Sequence, residues 1–177
     1  MKINSFFFLM CVLLVSCNES KVRRPVNHGS VSALEKTVIV NKMLFAKEEK
    51  QMQVYMNLDS TQTYINSEKG FWYTYISKKS KGARPVKGNK VVFEQDIVAL
   101  DGTVLYAKNK LGLQNYFVDK EHVIKGVKEG IKLMREGEEV KFLFSSFVAY
   151  RMNGDSEHII ESNEPIISII KLIKINN

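Results

Sequence analysis

The stretch HVIKGVKEGIKLMREGEE, His122 to Glu139, decides how the rest of the chain reads. At about 100° per residue, Ile124, Val127, Ile131 and Met134 fall on one stripe, and Lys125, Lys128, Glu129 and Lys132 fall on the opposite side. The spacing predicts an amphipathic helix opening at His122. Gly126 and Gly130 lie inside it, although each costs about 1 kcal/mol relative to alanine in a helix interior. Both flank the apolar stripe, so they face inward. Without a Cβ at either position, the helix backbone can press on a sheet more closely than an ordinary amphipathic helix could. Close packing alone accounts for these glycines as well as a functional pocket does.

Around this helix the texture is that of strands. FWYTYI from Phe71, VVFEQDIVAL from Val91, YFV from Tyr116, VKFLF from Val140 and the terminal PIISIIKLIKI are short runs rich in aromatic and β-branched residues. Asp101-Gly102 followed by TVLY is a compact hairpin signal. The last run is almost continuously apolar, which places it as a central strand. Five or so strands interrupted by one short helix argue for an α+β fold, an antiparallel sheet with a helix on one face.

Upstream, Ser32 to Glu35 reads SALE, a capping-box pattern, and no Gly or Pro follows until beyond Leu58, which predicts a long helix. Leu34, Val38, Phe45, Met52 and Met56 form one stripe, but VIVNKMLFA, Val38 to Ala46, is apolar around much of its circumference. Such a helix packs into its own domain on one side and meets a partner on the other, or it pairs with a second copy of itself as a homodimer. Glu48 and Glu49 read as a solvated helix face.

At the N-terminus, Lys2 precedes FFFLMCVLLV, which is too short for a comfortable membrane span and reads as the apolar core of a secretory signal. The run ends in LLVSC, which resembles a bacterial lipobox with Cys17 as the lipidated residue. The expected organisation is a lipoprotein signal and lipobox over 1–17, a tether over 18–31, a helical extension over 32–70 and the sheet domain over 71–177. Loss of Cys11 with the signal would leave no disulfide and no free thiol. Acyl chains on Cys17 would hold the protein on a bilayer, on the periplasmic side of the cell envelope.

Composition sets further bounds. The 177 residues are 45% hydrophobic with a formal net charge of +7, consistent with a globular core. The excess of basic residues is concentrated in KVRRP at Lys21 and SKKSKGARPVKG at Ser77, without the aromatic interleaving of a nucleic-acid binder, so nucleic acid is not an expected partner. His28, His122 and His158 have neither metal-ligand spacing nor a nucleophile beside them, and they read as solvated residues.

The order of elements, with VIKGVKEGIKLMREG, then Ala149-Tyr150, then His158-Ile159-Ile160 before the closing strand, resembles the FK506-binding-protein family of peptidyl-prolyl cis/trans isomerases. The central pattern of that family is V-I-x-G-x-x-x-G-x-x-x-M-x-x-G. The lipobox, RRPV, the long helix and DSTQTYINSEKGFWYTY further resemble the GldI-type, gliding-motility-associated isomerase lipoproteins of the Bacteroidetes.

The family likeness implies an FKBP-like antiparallel sheet wrapped on one short helix, with a long N-terminal helix extension. It also implies proline-containing polypeptides as substrates, no cofactor and no metal, and gliding or secretion machinery as candidate partners. Val123 and Ile124 map to the turn that floors the proline pocket, with the Ile124 backbone N–H as a donor to substrate. Tyr150 maps to the tyrosine whose hydroxyl reaches a substrate carbonyl, and Ile159-Ile160 to the aliphatic pair near the rim. Elsewhere the chain departs from the family pattern. Gln95 stands for a tyrosine, Leu105 and Tyr106 for a Phe-Asp pair, Val127 for the tryptophan at the pocket base and Ser168 for a phenylalanine. Tyr116 is a candidate to restore aromatic surface. The thinned aromatic floor leaves two readings open, a weak isomerase and a domain that binds chains or partners without useful catalysis.

Overall fold

The computed structural model describes residues 30–176. Cys17, the signal segment and most of the tether lie outside the described residues. The chain divides into two compact units between Thr37 and Val38. The first contributes the opening turns of helix α1 (Ser30–Leu58), whose later turns belong to the second. The other elements are β1 (Ile65–Asn66), β2 (Phe71–Ser77), β3 (Lys90–Ala99), β4 (Val104–Tyr106), a single helical turn α2 (Lys108–Leu111), β5 (Gln114–Phe117), α3 (Lys125–Ile131), β6 (Glu139–Phe144), two 3₁₀ turns (Ser146–Val148 and Arg151–Asn153) and β7 (Ile166–Asn176).

The seven strands form one antiparallel sheet in the order β1-β2-β6-β7-β3-β4, with β5 also paired to β3. β7 is central, as its almost continuously apolar run implies. The architecture is the mixed α+β, FKBP-like arrangement expected: a sheet, a short helix on one face and a long N-terminal helix.

Burial explains why some strands alternate and others do not. Along β3 half-buried and buried positions alternate, which fits one well-covered face. At the end of β6, Phe142, Leu143 and Phe144 are all buried, because both faces of the sheet are covered there. Phe142 and Phe144 point into the cluster shared with Val127 and Ile131 of α3, whereas Leu143 and Ile167 pack with Met52 and Met56 of α1 on the other face.

The short helix differs from expectation in its limits. It begins at Lys125, with Ile124 as its N-cap in extended backbone, so His122 and Val123 precede it. It ends at Ile131. Met134 reaches the core from the following turn, where the Leu133 and Met134 N–H groups donate to the Gly130 and Ile131 carbonyls. The inward glycines are a close approach in the literal sense. A Cβ built on Gly126 would lie 2.6 Å from the Phe144 ring, and one on Gly130 2.9 Å from the Phe142 ring.

Helix α1 is the long N-terminal helix expected and spans Ser30–Leu58, but it corrects two expectations about its faces. Of the predicted apolar stripe only Met52 and Met56 are buried, while Leu34, Val38 and Phe45 are 71%, 47% and 46% exposed. The packed line runs instead through Leu44, Glu48, Met52 and Met56, at a spacing of four residues. Glu48 is therefore no solvated residue. It is 2% exposed, and its carboxylate accepts the Ser146 N–H at 2.8 Å and the Ser146 hydroxyl at 2.5 Å. Glu49, one residue on, faces solvent.

Residues 59–70, expected in the helical extension, are not helical. Asp59 accepts the Lys141 ammonium at 2.8 Å and the Tyr64 hydroxyl at 2.7 Å, and Ile65–Asn66 then adds a short edge strand to β2. Those two partners hold the Asp59 carboxyl below the usual aspartate range. Among the described residues no helix is long and apolar enough to cross a membrane.

Candidate functional site

β3, β4 and the segment after β6 bring some of the expected residues together. The β6–β7 connection begins with Ser145, whose N–H and hydroxyl both donate to the Gly70 carbonyl. Ser146 is held by Glu48. Thus pinned from two sides, the first 3₁₀ turn delivers Tyr150, which is half-buried and packed against the core cluster.

The connection next turns back through Gly154, at φ +66°, where an added Cβ would lie 2.4 Å from the Ile160 carbonyl oxygen. Only glycine fits this reversal. It sets Asp155 against β4. The Tyr106 hydroxyl donates to Asp155 Oδ2, and the Ile160 N–H donates to Oδ1 at 2.7 Å.

These segments enclose a cleft of about 300 Å³ lined by Ile97, Tyr106, Leu111, Tyr150, Gly154, Asp155, Ser156 and Glu157. Burial, and then the charge of Asp155, push the Tyr150 hydroxyl above the ordinary tyrosine range. It therefore stays protonated at neutral pH and can donate. The Tyr106 hydroxyl is raised by burial and by its bond to Asp155. Burial works against ionisation of Asp155, but the Tyr106 hydroxyl and neighbouring backbone N–H groups hold its carboxyl below the usual range.

Of the residues read from sequence, Tyr106 and Tyr150 line this cleft. Leu105, Val123 and Ile124 are half-buried and pack against the core cluster without lining the cleft. As the N-cap of α3, Ile124 has an N–H with no intrahelical acceptor. Ile159 is 41% exposed at the rim, whereas Ile160 is 1% exposed and belongs to the core.

Four residues sit differently from a pocket wall. Tyr116 is 0% exposed and its hydroxyl accepts the Asp119 N–H, so it fills the core and restores no aromatic surface to the cleft. Val127, 3% exposed, is likewise enclosed in the core. Gln95 and Ser168, on the α3 side of adjacent strands, satisfy each other through a buried Gln95 Nε2 to Ser168 Oγ bond of 2.8 Å. The polar replacements are thus a matched pair, which removes the cost of burying either alone.

Sequence reasoning missed Ile97, Leu111, Asp155 and Glu157. In the sequence the two acidic residues are only neighbours of His158 in a polar loop, and the one local signal is Gly154, which marks the turn that swings Asp155 onto Tyr106. His122 and His158 are exposed, as expected, and His28 lies outside the described residues. Among the described residues no group of three His, Cys, Asp or Glu side chains could hold a metal ion.

This arrangement has relatives. Residues 81–173, more than half of the chain, match the family described as FKBP-type peptidyl-prolyl cis-trans isomerase. A probable FKBP-type peptidyl-prolyl cis-trans isomerase FkpA of Neisseria meningitidis serogroup B is 34% identical over 100 residues, which are 56% of this chain and 36% of that protein. The chain therefore matches little more than a third of that relative's length. Among solved structures, a peptidyl-prolyl cis-trans isomerase of Pseudomonas syringae pv. tomato superposes with a TM-score of 0.63 at 18% identity, covering 77% of this chain and 96% of that one. The three FKBP domains of wheat FKBP73 give a TM-score of 0.58 at 22% identity, covering 64% and 50% of the respective chains. The sheet order, the glycine-bearing helix under Phe142 and Phe144, and a cleft lined by Tyr106 and Tyr150 agree with the sequence match: the chain belongs to the FKBP-type peptidyl-prolyl cis-trans isomerase family.

Proposed function

We propose that this chain is a membrane-anchored peptidyl-prolyl cis/trans isomerase that assists the folding of exported or envelope proteins and is linked to gliding motility. The observation that carries the isomerase reading is Tyr150, a protonated donor that follows a turn pinned from two sides and lines a cleft with Ile97, Tyr106 and Leu111. Rotation about an X-Pro bond breaks amide resonance and no σ bond, against a barrier of about 20 kcal/mol in water. A planar amide is more dipolar than a twisted one, so a cleft that takes the bond out of water favours the twisted form. Donation from the Tyr150 hydroxyl to a substrate carbonyl, and from the Ile124 N–H to the next, would hold the flanking chain while the bond turns. Interactions that are stronger with the twisted amide lower the barrier. No nucleophile, metal or cofactor enters this chemistry.

A proline-limited refolding reaction tests the reading with protein starting at Lys21. The slow phase should accelerate, and Tyr150→Phe should reduce that effect by about tenfold, the scale of one hydrogen bond made in the transition state. An unchanged slow phase at micromolar protein would remove the catalytic role.

The lipid anchor rests on the lipobox at Cys17, the envelope location on that anchor, and gliding or secretion machinery as partners on the subfamily likeness of the sequence. Metabolic labelling with a fatty acid, lost in Cys17→Ser, tests the anchor.

A second reading, a catalytically weak or inactive FKBP-fold chaperone or assembly factor, is favoured by one specific observation. Where the family pattern has large aromatics, this chain has the Gln95–Ser168 pair and an enclosed Val127. Each missing aromatic forgoes on the order of 2 kcal/mol of apolar contact with a proline ring. Suppressed aggregation of an unfolded client that contains no proline would favour this role. A homodimer through α1 accords with either reading, since Val38, Ile39, Val40 and Met43 are 47 to 69% exposed.

A further inference from the structure

The cleft at Tyr150 is acid-lined. Asp155 and Glu157 are its charged residues, and among the described residues no Lys or Arg lines it. Among the described residues neither carboxylate is within ion-pair distance of a cation, whereas Asp59, Asp96, Asp119, Glu129 and Glu138 all are. The bonds that Asp155 does make come from neutral donors, the Tyr106 hydroxyl and the Ile160 N–H, so its negative charge is positioned without being cancelled. Glu157, two residues on, is exposed at the rim. Two uncompensated carboxylates therefore border a slot whose other walls include Ile97, Tyr106, Leu111 and Tyr150, in a chain whose net charge is +7.

We propose that this site selects polypeptides carrying lysine or arginine next to the proline, with the proline ring between Ile97, Tyr106 and Tyr150 and the basic side chain at Glu157 and Asp155. The proposal rests on the isomerase reading above and adds the substrate class. The physical reason is local. A cation that enters meets the Asp155 charge, partly withdrawn from water at the cleft wall, where the effective dielectric is lower than in water. A carboxylate on the substrate at the same place meets like charge and is disfavoured. Asp155 is fixed by its bonds to β4 and to the Ile160 backbone, so it acts as the rigid part of the recognition. Glu157 is the part free to reach a lysine.

A peptide series decides the matter. Turnover is compared for peptides that differ only in the residue before or after proline, lysine against leucine against glutamate. The expected order is lysine first and glutamate last, with roughly two- to fivefold between lysine and leucine, the scale of a single partly exposed ion pair. Glu157→Gln should collapse the lysine-to-leucine ratio, and Glu157→Lys should put glutamate ahead of lysine; because each ratio is taken within one variant, a general loss of activity does not enter it. Leucine equal to or ahead of lysine in the parent, or a ratio unmoved in both variants, overturns the proposal and leaves the isomerase reading standing. If no peptide is turned over, the isomerase reading falls, and equilibrium binding of the same peptides, followed on the Tyr150 ring signal by NMR, tests the charge selection by itself. Preference for the lysine peptides there sustains it, and equal or absent binding ends it.

Discussion

A methyl group added to Gly126 would have to displace the Phe144 ring, and that ring is itself stacked 5.4 Å from Phe142 and set edge-on 5.5 Å from Phe71. Alanine would recover about 1 kcal/mol of helix propensity, but overpacking a close-packed core costs about 1 to 3 kcal/mol. The second effect wins, because three interlocked rings cannot all shift. Gly126→Ala should therefore lower stability in chemical denaturation despite being the better helix former. Val127→Trp, which places the family's tryptophan back at its position, should fail for the same reason. Val127 is enclosed in the core and does not line the cleft, so the indole should lower the thermal midpoint with no rise in proline-peptide turnover.

At the scale of elements, α1 is tied to the functional connection by a carboxylate. Glu48 satisfies both donors of Ser146, the first residue of the turn that leads to Tyr150. Glu48→Ala would leave a buried N–H and hydroxyl unpaired, at a cost of about 1 to 3 kcal/mol. Glu48→Gln keeps one acceptor oxygen and should cost less. Urea unfolding of both variants checks the order, and equal midpoints for the parent and Glu48→Ala would contradict it. Much of the element plan is legible in the sequence. Period-two and β-branched patterns locate β2, β3, β6 and β7 within a residue or so, because each strand's two faces differ in what covers them. The limits of α3 are not legible, since Val123 and Ile124 continue the helical period yet precede the first turn, with Ile124 in extended backbone.

At the scale of the whole molecule, α1 carries a run of exposed hydrophobic side chains, with Leu34 at 71%, Val40 at 61% and Met43 at 69%. Paired with a second copy, as proposed above, these residues would leave water. The protein from Lys21 should then sediment as a dimer at micromolar concentration, and Val40→Glu with Met43→Glu should return it to a monomer with the sheet domain still folded. A parent that remains monomeric throughout the concentration series would rule the pairing out.

The glycine spacing of the central helix, the Asp101-Gly102 turn and the apolar terminal strand were determined by sequence alone, because each is a local pattern whose physical cause lies within a few residues. So was the replacement of the family's pocket aromatics at Gln95, Val127 and Ser168. Only the tertiary structure decided what those replacements do. Gln95 meets Ser168 across two strands separated by 73 positions, Glu48 meets Ser146 across 98, and Asp155 meets Tyr106 across 49. A hydrogen bond depends on where two side chains meet in space, and at such separations the fold alone determines that.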